Sequence, residues 1–235
     1  MQSPLHGQMM DMPLLISSFM THAARHFPGI EIVSRRHEGD LHRYTYRDAE
    51  VRMRQMASAL ERRGIEMGER VATLAWNGYR HMEAYYAVGG KGSIVHTINP
   101  RLHPDQIAWI VNHAEDSMLC FDLSFLPIVE SIAPRCPSVK HWVAMCDPDH
   151  MPRSAIPNLL CFESLLAEGD PHWQWPEFDE RSAVASATPP APPVTRRAPS
   201  MRTVQPCCMP MRQASRMPCA FRHAMWCFRS CRCFM

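Results

Sequence analysis

The residues with the clearest capacity for chemistry lie near the carboxyl terminus, where cysteine is concentrated. Six of the 10 cysteines fall after residue 186, together with a histidine, and thiolate and imidazole are ligands that zinc prefers. These residues are Cys207, Cys208, Cys219, Cys227, Cys231, Cys233 and His223. Their spacing matches no regular zinc-ligand pattern, so the sequence predicts no metal site here.

The whole segment 187–235 differs in composition from the rest of the chain. It contains no Asp, Glu or Lys, and it carries eight Arg and all the Pro-Pro pairs. A protein surface normally mixes charges of both signs. The segment has a charge of +8, whereas residues 1–186 carry 17 basic and 23 acidic residues and a net charge of −6. We therefore interpret residues 187–235 as coding DNA read in the wrong frame.

The codon table tests this interpretation. Each lost codon takes the last base of one visible codon and the first two bases of the next. From Thr188 to Ala198 this rule permits the string YTSGTTGDPKG, a glycine-rich sequence typical of a phosphate-binding loop. From Met225 to Met235 it permits a string ending in VVLPVVPMFH. One base stays free at each position, yet a contiguous loop of this kind is hard to reach by accident. The sequence predicts a one-base deletion near Ser186.

Histidines and cysteines of residues 1–186 are widely spaced and form neither a metal-ligand pattern nor a Cys-x-x-Cys pair. They include His81, His103, His113, His141, Cys120, Cys136, Cys146 and Cys161. The cysteines are expected to be buried, reduced thiols. Gly89, Gly90 and Gly92 follow a predicted helix and precede a predicted strand, which is the wrong order for phosphate binding. We predict that they allow close packing and form a helix C-cap.

The elements that position these residues follow from apolar periodicity. Thr45 is predicted to cap a helix, with Asp48 as its capping-box partner, and Gly64 is predicted to end that helix. Its apolar stripe contains Ala49, Met53, Met56 and Leu60. Charged residues that lie mostly off the stripe are expected to form a solvated face. They are Arg52, Arg54, Glu61, Arg62 and Arg63.

Strands and helices are predicted to alternate along the rest of residues 1–186. Further helices are predicted over Leu14–His26, from a cap at Asn77 through Val88, and over Pro104–Ala114, Phe125–Ile132 and Phe162–Ala167. Strands are predicted over Ile30–Val33, His42–Tyr46, Val71–Ala75, Ile94–Ile98, Met118–Phe121 and His141–Met145. Trp76, Trp109 and Trp142 are expected in the core or at its edge. This alternation predicts an α/β fold with a mainly parallel sheet flanked by helices.

Three segments resemble the AMP-forming acyl-CoA synthetases of the adenylate-forming ligase superfamily. Residues 44–60 resemble the first conserved helix of that family, and residues 85–102, which end in HTINPRL, resemble its second conserved segment. Residues 178–184 resemble the run that leads into the family's phosphate loop. The restored YTSGTTGDPKG is similar to that loop. The resemblance thus covers essentially all of residues 1–186, as a partial N-terminal domain.

The resemblance implies a two-step parent reaction. A fatty acid carboxylate attacks the α-phosphorus of ATP to give acyl-AMP and pyrophosphate, and the sulfur of coenzyme A then displaces AMP. The parent family therefore uses ATP, Mg²⁺ and coenzyme A. Because the phosphate loop and the later motifs lie beyond the break, no catalytic, cofactor-binding or metal residue is assigned to any position, and no cofactor is expected in this chain. The fragment is expected to be truncated and inactive alone.

Residues of the HTINPRL segment are interpreted as structural rather than catalytic. Asn99-Pro100 favours a turn, His96 precedes it on a strand, and Arg101 is expected to pair with a carboxylate across the domain.

Two alternatives stay open. In the first, the chain is a non-catalytic binding module whose basic, Cys-rich segment 187–235 binds nucleic acid or metal. In the second, a sequencing error conceals an intact gene. Under the frameshift interpretation no nucleic-acid partner is expected, and the prolines of residues 187–235 predict a disordered tail. Met1–Met12 lack the pattern of a signal peptide and no run is long enough to span a bilayer, so a cytoplasmic location is expected.

Overall fold

The computed structural model describes residues 12–187 and 200–202. The predictions about Met1–Met12 and about a disordered tail fall mostly outside these residues. The helices are α1 (Ser17–His26), α2 (Tyr46–Arg62), α3 (Tyr79–Lys91), α4 (Pro104–Ala114), α5 (Leu126–Ile132) and α6 (Phe162–Ala167). The strands are β1 (Glu31–Arg35), β2 (Leu41–Thr45), β3 (Arg70–Leu74), β4 (Ile94–Thr97), β5 (Met118–Phe121), β6 (His141–Ala144), β7 (Leu159–Cys161), β8 (Ala183–Ala187) and β9 (Ser200–Arg202). Within the described part, no helix combines the length and apolarity needed to cross a membrane.

The strands form one large sheet and one hairpin. Seven strands lie in the order β7-β6-β5-β3-β4-β8-β9, and all neighbours from β7 to β8 are parallel. Strand β9 pairs antiparallel with β8. Strands β1 and β2 form the predicted antiparallel hairpin, with Glu31 opposite Thr45. The predicted α/β fold with a mainly parallel sheet is confirmed.

Helices cover both faces of the sheet. Val71, Met118 and Val143 point into a core formed with α1, α2, α3 and α6. The alternate positions, such as Leu119 and Phe121, point into a second core formed with α4 and α5. Parallel strands covered on both faces are mostly apolar, which is why strand β5 reads as a continuous apolar run. The four cysteines of residues 1–186 are buried and free, as predicted.

Helix α2 forms where local signals agree. The Thr45 hydroxyl accepts from the Asp48 amide and the Asp48 carboxylate accepts from the Thr45 amide, so the predicted capping box is present. The apolar stripe predicted for this helix is fully buried. Gly64 follows the end of the helix with φ of +73°, a conformation that favours glycine.

The glycines of α3 allow close packing, as predicted, but two of them lie inside the helix. A Cβ on Gly89 would lie 2.8 Å from Cγ1 of Val184 on β8, and a Cβ on Gly90 would lie 2.7 Å from the Trp175 ring. Gly92 is the C-cap, with φ of +90°. The contact at Gly89 brings α3 against strand β8.

Several local predictions are wrong. Gly78, not Asn77, is the N-cap of α3, and the Tyr79 amide donates to the Ser34 hydroxyl of β1 at 3.2 Å. Trp142 lies in the core and Trp76, whose ring packs against Phe125, lies at its edge, whereas Trp109 is 46% exposed. Strands β7 and β8 were not predicted. Both are short and gain their hydrogen bonds from strands distant in sequence.

Candidate functional site

The carboxyl ends of the parallel strands meet at one edge of the large sheet. Strand β3 has β4 on one side and β5 on the other, so the chain reverses its direction across the sheet at this point. In open parallel sheets, ligands bind in the crevice outside the carboxyl ends at such a reversal. This edge is therefore the place where a ligand is expected.

A cleft of about 230 Å³ lies there. Trp76 follows β3 and Asp122 follows β5, and the Trp76 amide donates to the Asp122 carboxylate at 2.6 Å. Arg36 and Arg80 also line the cleft. Burial raises the pKa of Asp122 and lowers the pKa of His81, whose Nε2 lies 3.1 Å from the Thr73 hydroxyl.

Two arginines of the cleft, Arg36 and Arg80, are already paired with carboxylates. Arg36 Nη1 donates to Asp147 at 2.6 Å and its Nε donates to Asp40 at 2.7 Å. Arg80 donates to Glu38 at 2.8 Å and to Asp147 at 2.6 Å. A guanidinium held by two carboxylates offers little to a further anion. Of the three arginines that line the cleft, only the exposed Arg35 forms no ion pair within residues 12–187.

The same ion pairs continue into the core between α2, α3 and α6. Arg80 donates to Glu163 at 2.9 Å, and Arg52 joins Glu163 at 2.9 Å and Glu83 at 2.7 Å. The prediction that Arg52 and Arg54 belong to a solvated face is wrong. Their side chains are 22% and 16% exposed, because each is held by carboxylates on the core side.

Burial and pairing shift the titration of this network. Burial raises the pKa of Glu83 to about 7, although Arg52 opposes the shift. For Glu163 burial acts in the same direction, but hydrogen bonds and charges from Arg52 and Arg80 outweigh it and hold its pKa below the ordinary value. Burial also raises the pKa of Tyr44 and Tyr79. The network is built for structure, since its charged groups face one another.

Two residues of the HTINPRL segment, His96 and Asn99, have hydrogen-bond partners within the fold. His96 Nδ1 lies 2.8 Å from the Asp116 carboxylate, and both side chains are fully buried. The Asn99 side chain accepts from the Arg101 amide at 3.0 Å, which forms the predicted turn. Arg101 is exposed and forms no ion pair within residues 12–187, so its predicted pairing is wrong.

Strand β8 ends beside this segment. Ser186 lies opposite His96 and Ala187 lies opposite Thr97 in the parallel pair β4–β8. The chain after Ala187 therefore leaves the sheet at its carboxyl edge, next to the turn at Asn99. The absence of catalytic residues from residues 12–187 stays a prediction of the sequence analysis.

A second cluster of ligand-type groups lies at the outer end of the ion-pair network. Glu38, Asp147 and His150 each place one ligand atom within 4.8 Å of the others. Sequence reasoning missed both clusters because their members come from the β1–β2 turn, α2, α3, the segment after β6 and α6. One signal was available: Glu83 lies within an apolar helix, where a charge implies a buried partner.

Comparison with known proteins identifies what the chain resembles. The sequence profile described as "AMP-binding enzyme" matches residues 20–186. A 3-methylmercaptopropionyl-CoA ligase of Ruegeria lacuscaerulensis is 45% identical over 177 residues, which are 75% of this chain and 33% of that protein. A medium-chain-fatty-acid–CoA ligase of Ectopseudomonas oleovorans is 42% identical over 75% of this chain and 32% of its own length. The chain thus spans about a third of the length of these curated relatives.

Solved structures support the same fold. A long-chain-fatty-acid-CoA ligase from Archaeoglobus fulgidus superposes with a TM-score of 0.66 at 11% identity, over 85% of this chain and 39% of that one. A fatty acyl CoA synthetase from Mycobacterium tuberculosis gives a TM-score of 0.62 at 17% identity, over 81% of this chain and 35% of that one. At these identities the likeness establishes the fold alone.

Proposed function

This chain belongs to the AMP-binding enzyme family, and we propose that it is the N-terminal portion of a fatty-acyl-CoA ligase whose reading frame breaks near Ser186. In the proposed parent reaction, a fatty acid carboxylate attacks the α-phosphorus of ATP and releases pyrophosphate. The thiol of coenzyme A then attacks the acyl carbon of acyl-AMP and releases AMP. The proposal includes a cytoplasmic location and small-molecule partners only.

One observation carries this proposal. The restored string YTSGTTGDPKG begins directly after β8, and the family match ends at the same place, residue 186. Since β8 runs parallel to β4, a loop at this position would emerge at the carboxyl edge of the sheet. Backbone N–H groups in a glycine-rich loop surround the phosphates of a nucleotide at such an edge.

The residues of this chain do not fit ATP and its Mg²⁺. Where the restored loop would supply N–H groups, the chain has Pro189, Pro190, Pro192 and Pro193, which have no N–H to donate. Arg36 and Arg80 at the cleft are already paired with carboxylates. We therefore propose that this chain alone forms no acyl-AMP, and no reaction step is assigned to its residues.

The test is to insert one base near the Ser186 codon of the native gene. We expect a longer open frame that encodes YTSGTTG, and a product that releases pyrophosphate in proportion to added fatty acid. The unrepaired chain should stay at the level of the blank. Insertion of three bases at the same position is the matched control, because it leaves the frame broken.

Two results would overturn the proposal. One is a stop codon soon after the inserted base. The other is pyrophosphate release by the unrepaired chain that depends on fatty acid.

A further inference from the structure

The ion-pair network described above carries unbalanced charge. Its ion pairs link three guanidiniums to five carboxylates. These are Arg36, Arg52 and Arg80 on one side and Glu38, Asp40, Glu83, Asp147 and Glu163 on the other. Fully ionised, the network has a charge of −2. Negative charge away from water is unfavourable unless a cation or a proton compensates it.

Glu38 has the buried carboxylate oxygen that this network leaves without a hydrogen-bond partner. Its side chain is only 4% exposed, and its Oε1 accepts from Arg80 at 2.8 Å. Its Oε2 is buried and has no hydrogen-bond partner. A buried carboxylate oxygen without a partner retains its full desolvation penalty. The Asp147 carboxylate, in contrast, accepts from a guanidinium at each oxygen.

Glu38 lies in a ligand cluster with the right chemistry to satisfy that oxygen. Glu38 comes from the turn between β1 and β2, and Asp147 and His150 come from the segment after β6. Two carboxylates and one imidazole suit a divalent transition metal such as Mn²⁺ or Zn²⁺ better than Mg²⁺ or Ca²⁺. His150 is exposed, so a metal would reach the cluster from solvent and keep water ligands.

We propose that Glu38, Asp147 and His150 bind one divalent transition-metal cation, which fixes the β1–β2 turn to the segment after β6. Arg36 and Arg80 then act as outer-shell groups that orient the two carboxylates. They weaken the attraction for a cation, but the network around them stays negative. A proton on Glu83 would reduce the excess charge and would still leave Glu38 Oε2 without a partner.

The test is a titration of the full chain with Mn²⁺. Binding is measured as the loss of the electron paramagnetic resonance signal of free Mn²⁺. Mn²⁺ is chosen because thiolates favour zinc over Mn²⁺, and six cysteines lie after residue 186. We expect one saturable equivalent per chain. His150→Ala should weaken Mn²⁺ binding about 10-fold or more. Loss of an outer-shell group typically weakens metal binding by about 10-fold, and loss of a direct ligand should weaken it at least as much. His103→Ala removes an equally exposed histidine beside Asp105 and should bind as the wild type does.

Glu38→Gln should also weaken binding, provided that its circular dichroism matches that of the wild type. If this buried substitution prevents folding, the exposed His150→Ala variant decides alone. Absence of a saturable equivalent in the wild type would overturn the proposal. So would equal affinities for wild type, His150→Ala and His103→Ala, since the metal would then bind elsewhere.

Discussion

Glu83 is the residue whose surroundings most alter its chemistry. It lies in an apolar stretch of α3, is fully buried, and has a pKa raised to about 7 by burial against the opposing effect of Arg52. The unfolded chain releases the same proton near pH 4.3. Between these two values the folded state holds more protons than the unfolded state, so the contribution of Glu83 to stability falls as pH rises.

Glu83→Gln should remove that pH dependence. We expect the free energy of unfolding of the variant, relative to the wild type, to rise between about pH 4.5 and pH 7 by an amount on the order of 3 kcal/mol. Urea denaturation across this range measures it. Glu50→Gln, which removes a carboxylate paired with Arg54 on α2, is the control and should keep the wild-type slope. Identical slopes for Glu83→Gln and the wild type would contradict the assigned pKa.

At the residue scale, interactions between residues close in sequence were predictable, and ion pairs between residues distant in sequence were not. The Thr45–Asp48 capping box joins residues three positions apart, so the sequence contains the whole motif. Arg52 finds its partners 31 and 111 residues away, at Glu83 and Glu163. Nothing near Arg52 in sequence distinguishes it from the solvated arginines of the same helix. The candidate metal ligands were missed for the same reason.

At the scale of elements, the contact between α3 and β8 is the one most sensitive to volume. Gly89→Ala places a Cβ 2.8 Å from Cγ1 of Val184, a stiff β-branched side chain that is 3% exposed. Overpacking of this kind costs about 1–3 kcal/mol, and alanine recovers up to about 1 kcal/mol through helix propensity. We therefore expect a net loss of about 1–2 kcal/mol in the free energy of unfolding, measured by urea denaturation.

Gly29→Ala is the matched control for this prediction. A Cβ at Gly29 meets no atom within 4 Å, and its φ is not in the left-handed range. The free energy of unfolding of the Gly29→Ala variant should stay close to that of the wild type. Should Gly89→Ala also unfold at the wild-type urea concentration, α3 and β8 are not in the close contact described.

Elements with a complete local pattern were predictable, and strands β7 and β8, which lack one, were not. Helix α6 and strand β5 match their predicted bounds, because each is a complete local pattern. Strand β7 has three residues and β8 reads AVASA, so neither has enough apolar length to be recognised. Their positions depend on β6 and β4, which lie far away in sequence.

At the scale of the whole molecule, the structure of residues 187–235 distinguishes the frameshift proposal from the binding-module alternative. The first predicts a disordered segment and the second a folded one. The disorder predicted for residues 187–235 stays a prediction, argued from clustered prolines and the lack of an apolar period. Limited trypsin digestion should cut first at Arg196 or Arg197 and leave a fragment that contains residues 20–186. Mass spectrometry identifies the cut. Protection of residues 187–235 in a compact monomer would favour the binding module.

The place of β8 in the sheet has a consequence for synthesis on the ribosome. Strand β4 ends at Thr97, and its outer neighbour β8 begins 86 residues later, at Ala183. At about 5–20 residues per second, translation of this interval takes roughly 4–17 s. Throughout that time the outer edge of β4 in the nascent chain lacks its native partner, and an open strand edge is a template for pairing with other chains. Chaperone demand should therefore peak before Ala183 emerges, whichever frame follows it.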